Sequence, residues 1–273
     1  MLIGWTLEPT AAVILAGSVT LYSLGLARMS GPQRRAIAPA WRAGCYYAAA
    51  LVLVVALFSP LDGLADGSFA WHMGQHLLLM LIAAPLLALA NTHLVSLFAL
   101  AMSPRRLFGR VFSGIPGVRL AAADRRGPFL AALLFALGLW LWHAPRMYDT
   151  ALENAPIHTL EHLTFLITSA VFWRMVLNAG DRRLDAGSAI LLTVIVGLQA
   201  NLLAALIVLA PSPIYSVYAM NDLADQQVGG ILMLVPASLV FVAATVIAIG
   251  RLVRSGETQR RGRPTPKRVA LEP

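Results

Sequence analysis

Seven apolar stretches follow one another along this chain, at roughly 10–28, 43–60, 73–91, 128–143, 159–177, 188–210 and 228–250, with little sequence between them. A helix needs about 20 mostly apolar residues to cross the hydrocarbon layer of a membrane. A spanning segment must also satisfy its own backbone hydrogen bonds, which a helix does. The stretches therefore predict an all-α, polytopic integral membrane protein with seven transmembrane helices. Composition agrees: charged residues are only 12% of the chain, where soluble domains carry roughly a quarter. Residues 1–250 read as one membrane domain that leaves no room for a soluble one, and 251–273 as a basic, disordered tail. No basic residue precedes the first stretch and Arg28 follows it, so it reads as a retained helix and not a cleaved signal. A single cysteine, Cys45, rules out an intrachain disulfide.

Alternating the spans sorts the charges. Every lysine and arginine except Arg146 falls on one side, in the first and third loops, around the end of the fifth span, and in the tail. By the positive-inside rule, the N-terminus is outside and the C-terminus cytoplasmic. The pI of about 10.5 then reports orientation and contact with anionic lipids at the cytoplasmic face. It does not indicate nucleic-acid binding, and RSGETQRRGRPTPKR in the tail reads as a solvated anchor.

This topology carries five of the six histidines to the outer ends of three consecutive spans: His72 and His76, His143, and His158 and His162. The sixth, His93, lies at the cytoplasmic end and reads as an interfacial residue. Ionisable side chains at membrane depth are rare and usually functional. Residues four apart share one helix face, so each i, i+4 pair can offer two imidazoles to one metal ion. Met73 and Met80 lie close by, and thioethers favour Cu(I), whereas imidazole suits copper, zinc and iron alike. Glu161 sits beside the second pair, placed to orient an imidazole. A shared metal or haem function is the expectation; chance interfacial capping is the alternative for any one histidine.

Three segments resemble one family. HMGQHLLLMLIAAPLL (72–87), WHAPRMYDTALENAPIHTLEHLTFLITSAVFW (142–173) and PSPIYSVYAMNDLADQQVGGILMLVPA (211–237) are similar to motifs of the CtaG-like assembly factors for caa3-type cytochrome c oxidase. Two places depart from the family pattern: Arg174–Met175 where tryptophan and proline are expected, and Leu234–Ala237 where Trp and Gly are common. Neither touches a histidine. The resemblance implies a non-enzymatic role in the bacterial cytoplasmic membrane, with haem–copper oxidase subunits or their assembly intermediates as partners. It also implies copper as the metal, ahead of zinc or haem. Two other readings compete. His158–Thr159–Leu160–Glu161–His162 has the H-x-x-E-H order of a zinc-dependent intramembrane hydrolase. A metal-free assembly scaffold would use none of these residues as ligands.

Overall fold

The computed structural model describes residues 5, 8–101, 126–177, 184–218 and 223–261, and the regular elements within them are all helical. Six helices are long and apolar enough to cross a membrane. They are α1 (Pro9–Arg28), α3 (Ala40–Phe58), α5 (Phe69–Leu89), α9 (Ala155–Leu177), α10 (Ala186–Val208) and α11 (Leu223–Arg261). Short helices join them: α2 (Gly31–Ile37), α4 (Pro60–Ala65) and α6 (Thr92–Leu97).

The fourth expected span is a bent pair. Helix α7 (Gly127–Trp142) ends at His143 and Ala144, and α8 (Pro145–Glu153) leaves at 76°. Sixteen residues of helix rise only about 24 Å. The ring of Pro145 and its missing N–H stop that helix from continuing. Among the described residues there are therefore six candidate spans, or seven if the bent pair counts as one. The last helix also runs beyond residue 250 to Arg261; residues 262–273 lie outside the described part.

Local chemistry sets the helix starts. Glu8 accepts from the backbone N–H groups of Thr10 and Ala11, with Pro9 in the first turn of α1. Asp185 does the same for α10 through Ser188. Both satisfy donors that the first helical turn leaves unpaired.

Packing follows membrane logic. Leu133, Leu137 and Leu141 on α7, Leu198, Leu202 and Leu206 on α10, and Leu239, Val242 and Val246 on α11 are all more than half exposed. A soluble protein would not leave such stripes uncovered. Where helices meet, small residues let them approach: Gly197 lies against Phe241, and Gly230 against Val208. Polar side chains inside the spans bond between helices. Trp140 donates to Gln199 (2.6 Å), and Ser238 donates to Asn201 (3.1 Å).

One irregularity lies within the third span. Residues Leu78–Ala83 of α5 form a π-helical turn, and its cause is Pro85. The Ala84 N–H bonds to Leu79 O, five residues back. In that register Met80 O would pair with the nitrogen of Pro85, which has no hydrogen. The indole of Trp173 on α9 donates to Met80 O instead (2.8 Å). Arg174, one of the departures from the family pattern, reaches the opposite end of the bundle from the histidines. It donates to Asn91 Oδ1 (3.0 Å), and Asn91 in turn donates to Ile37 O (3.0 Å).

Candidate metal centre

Four imidazoles converge. His72 and His76 on α5 and His158 and His162 on α9 each offer a ring nitrogen, and these four atoms lie within 4.8 Å of one another. The i, i+4 spacing stacks each pair on its own helix, and the packing of α5 against α9 turns the two pairs together. Ring centroids are 4.3 Å apart for His72–His76, 4.2 Å for His158–His162 and 5.2 Å for His76–His162. Metal–nitrogen bonds of about 2.0–2.1 Å place tetrahedral ligands roughly 3.4 Å apart. Side-chain adjustments of about an ångström would therefore close this group on one ion.

Hydrogen bonds define how two of the rings are used. Tyr218 donates its only proton to Ala65 O (2.7 Å), so its oxygen accepts from His72 Nδ1 at 3.4 Å. That leaves the His72 lone pair on Nε2, which faces His76 Nε2 at 2.9 Å. Such a contact is closed by a proton on His76 or by a cation that takes both lone pairs. A metal-bound histidine ordinarily has its second nitrogen fixed in just this way. Burial pushes the hydroxyls of Tyr215 and Tyr218 above their usual range, so both stay protonated.

Glu161 completes the polar interior. It is 1% exposed, its Oε1 lies 3.9 Å from His76 Nε2, and neither carboxylate oxygen has a hydrogen-bond partner. His76 Nδ1, His158 Nε2 and His162 Nε2 are also buried without partners. Buried polar groups are almost always hydrogen-bonded, and a buried ionised carboxylate without a counter-charge is very costly. Several neutral imidazoles, one carboxyl group and no matching donors suit a cation. The donor set fits copper or zinc equally well.

His143 lies to one side. Its ring is centred 6.2 Å from that of His76, and it does not belong to the group of four. Its Nδ1 donates to Leu139 O (2.8 Å), which leaves a buried, unpartnered lone pair on Nε2. Met73 and Met80, the expected thioether donors, are buried on the side of α5 that faces His143.

The start of α5 is fixed from the far end of the chain. Asp225 on α11 accepts from Ser68 Oγ (2.6 Å) and from the backbone N–H groups of Phe69 and Ala70. Its role near the histidines is thus to cap the helix that carries them. Asn221 and Asp222, which precede α11, lie outside the described part.

Sequence reasoning overlooked the aromatic wall. Tyr148 packs against His72 (ring centroids 5.4 Å), Phe69 and Tyr215 pack against Tyr148 and each other, and Tyr215 donates to His143 O (3.1 Å). Phe165 covers His76 from the other side, with ring centroids 4.8 Å apart. The segment PSPIYSVYA was the available signal, but nothing in its spacing showed that it folds back onto the histidines. A cavity of about 360 Å³ reaches His158 and His162, and Glu8, Asp62 and Asp66 also line it.

These features define a helical membrane protein with a buried, multi-histidine, carboxyl-bearing site near one end of its bundle. The family model for cytochrome c oxidase caa3 assembly factors matches residues 20–255. The chain belongs to that family. No curated protein and no solved structure matches it.

Proposed function

We propose that this protein handles copper during assembly of a haem–copper oxidase. Copper is its cargo, held by His72, His76, His158 and His162 with Glu161 as the nearby negative charge. The carrying observation is the convergence of four buried imidazole nitrogens beside a carboxyl group that has no other partner. Family membership supplies the context of oxidase assembly, and the metal such an oxidase requires selects copper from the ions that imidazole accepts.

In this reading the N-terminus is outside, the C-terminus is cytoplasmic, and the chain spans the bacterial cytoplasmic membrane. The distribution of arginines supports a site near the outer leaflet, with the basic end of α11 against anionic lipid headgroups. The partners are oxidase subunits or their assembly intermediates. The role is delivery and not catalysis, and nothing in the comparisons supports the hydrolase alternative.

The cavity lined by Glu8, Asp62 and Asp66 offers a cation a route to His158 and His162. Carboxylates at such a mouth raise the local cation concentration. Copper analysis of the purified protein and of the host oxidase tests the proposal. The His76→Ala/His162→Ala variant should bind less copper and leave the oxidase deficient in copper. A variant that folds, with full copper in both proteins, would overturn it.

A further inference from the structure

A second cavity lies on the other side of His76. Its volume is about 30 Å³, enough for one small ion or one water. His76, His143, Met73, Met80 and Met233 line it, and leucine, alanine and phenylalanine side chains close the rest. All five named residues are at least nine-tenths buried. Met73, His76 and Met80 share one face of α5 at helical spacing, and Met233 arrives from α11.

Methionines in a helical core ordinarily fill gaps. Here that explanation leaves the imidazoles unaccounted for. His143 Nε2 and His76 Nδ1 are buried without hydrogen-bond partners, and both rings border this space. Leaving a buried acceptor unpaired is costly, and an apolar gap would favour an apolar residue in its place. The lining includes no carboxylate, so a hard dication would find no charge to balance it. Thioether sulfur with neutral imidazole, in a largely apolar pocket, is a donor set for a soft monovalent ion.

We propose that this cavity is a second metal site that takes a single cuprous ion through Met73, Met80, Met233 and His143, with His76, whose one lone pair serves one ion at a time, standing between it and the four-histidine group. The proposal rests on the reading of that group as a copper site. The wide cavity reaches His158 and His162, the group continues to His72 and His76, and His76 borders the methionine pocket. Transfer along this line is ligand exchange. Bonds from copper to imidazole nitrogen break as bonds to thioether sulfur form, and the ion remains Cu(I) throughout.

The test uses the full-length protein in detergent, loaded anaerobically with Cu(I), with copper counted per chain and its ligands read by X-ray absorption. The wild type should show sulfur as well as nitrogen scatterers. The Met73→Leu/Met80→Leu/Met233→Leu variant should hold one copper fewer per chain and lose the sulfur contribution. Leucine is close to methionine in volume, and the single Met233→Leu variant, which should weaken the sulfur signal, serves if the triple variant does not fold. The His158→Ala/His162→Ala variant should lose the nitrogen-only ion and keep the sulfur-bound one. A wild-type spectrum without sulfur, or a folded methionine variant with unchanged copper and spectrum, would overturn the second site. If His158→Ala/His162→Ala leaves the nitrogen-only ion in place, the four-histidine reading fails instead.

Discussion

The Nε2 atoms of His72 and His76 lie 2.9 Å apart within a pocket that water does not reach. The contact is short because both rings project from one face of α5 and Tyr218 holds the first ring by its other nitrogen. Two facing nitrogens beside the Glu161 carboxyl group form a site in which the metal-free protein is poorly satisfied. Stability and metal binding should therefore respond in opposite directions to one substitution. Glu161→Gln removes a buried acid that lacks a counter-charge, so the melting temperature of the metal-free protein should rise. Loss of an outer-shell partner typically weakens metal binding about 10–100-fold. The stabilisation gained on adding copper should shrink accordingly. Thermal unfolding with and without copper checks both signs, and an unchanged copper-induced shift would contradict the assignment of Glu161.

The acidic mouth gives a pH-dependent prediction. Burial, and then the negative charge of Asp62, push the Asp66 carboxyl above its ordinary value of 3.8. A folded-state value above the unfolded one means that the folded protein favours the protonated acid. The folded state therefore loses stability as pH rises through the unfolded value towards the raised folded one. Asp66→Asn should thus raise the melting temperature at neutral pH and have little effect near about pH 3, where the acid is protonated in both states. Stopped-flow uptake should show slower copper binding in the same variant, with a weaker salt dependence than the wild type.

The spans were legible because a bilayer imposes one length scale on every crossing segment. The histidine pairs were legible because helical spacing puts i and i+4 on one face. The relation between helices was not. The fourth stretch ends at 143, just before Pro145, but nothing in the sequence showed that the chain turns there by 76° or that His143 stays apart from the other four histidines. Met233 is remote in sequence from Met73, and only the crossing of α5 and α11 brings both to one cavity. The tyrosine wall depends on a loop folding back, which no periodicity reports. A proline such as Pro85 inside a helix signals only a break in the backbone bonding; its actual effect, a π-turn completed by Trp173, needed the neighbouring helix.

The crossing of α5 and α11 should be sensitive to a single methyl group. A Cβ at Gly229 would come within 2.6 Å of Phe69 Cε1 and 3.2 Å of Ala70 Cα. Phe69 is itself held against Tyr215 and Tyr148, so it has little room to give. Gly229→Ala should destabilise the protein by about 1–3 kcal/mol, the usual cost of overpacking. It should also weaken copper binding by shifting the start of the histidine helix. Gly250, with nothing within 4 Å of its would-be Cβ, is the control. Gly250→Ala should be neutral or stabilising by up to about 1 kcal/mol through helix propensity. Equal effects from the two substitutions would show that close packing at Gly229 is not what matters.

Trp173 and Pro85 should prove energetically coupled although they lie on different helices. Trp173 donates to a carbonyl that Pro85 leaves without a backbone donor. Trp173→Phe keeps an aromatic ring against Phe241 but strands Met80 O, at a cost of about 1–3 kcal/mol. Pro85→Ala restores an N–H to the turn, so that Met80 O regains a backbone partner whether the segment stays π-helical or relaxes to an α-helix. In the Pro85→Ala background, Trp173→Phe should therefore cost less, with a coupling of about 1 kcal/mol in a double-mutant cycle. Because the π-turn sits between the histidines and the rest of α5, Pro85→Ala should also rotate His72 and His76 relative to α9. Its copper affinity should fall even though its helix is more regular. Additive stabilities together with unchanged copper binding would show that the π-turn does not set the geometry of the site.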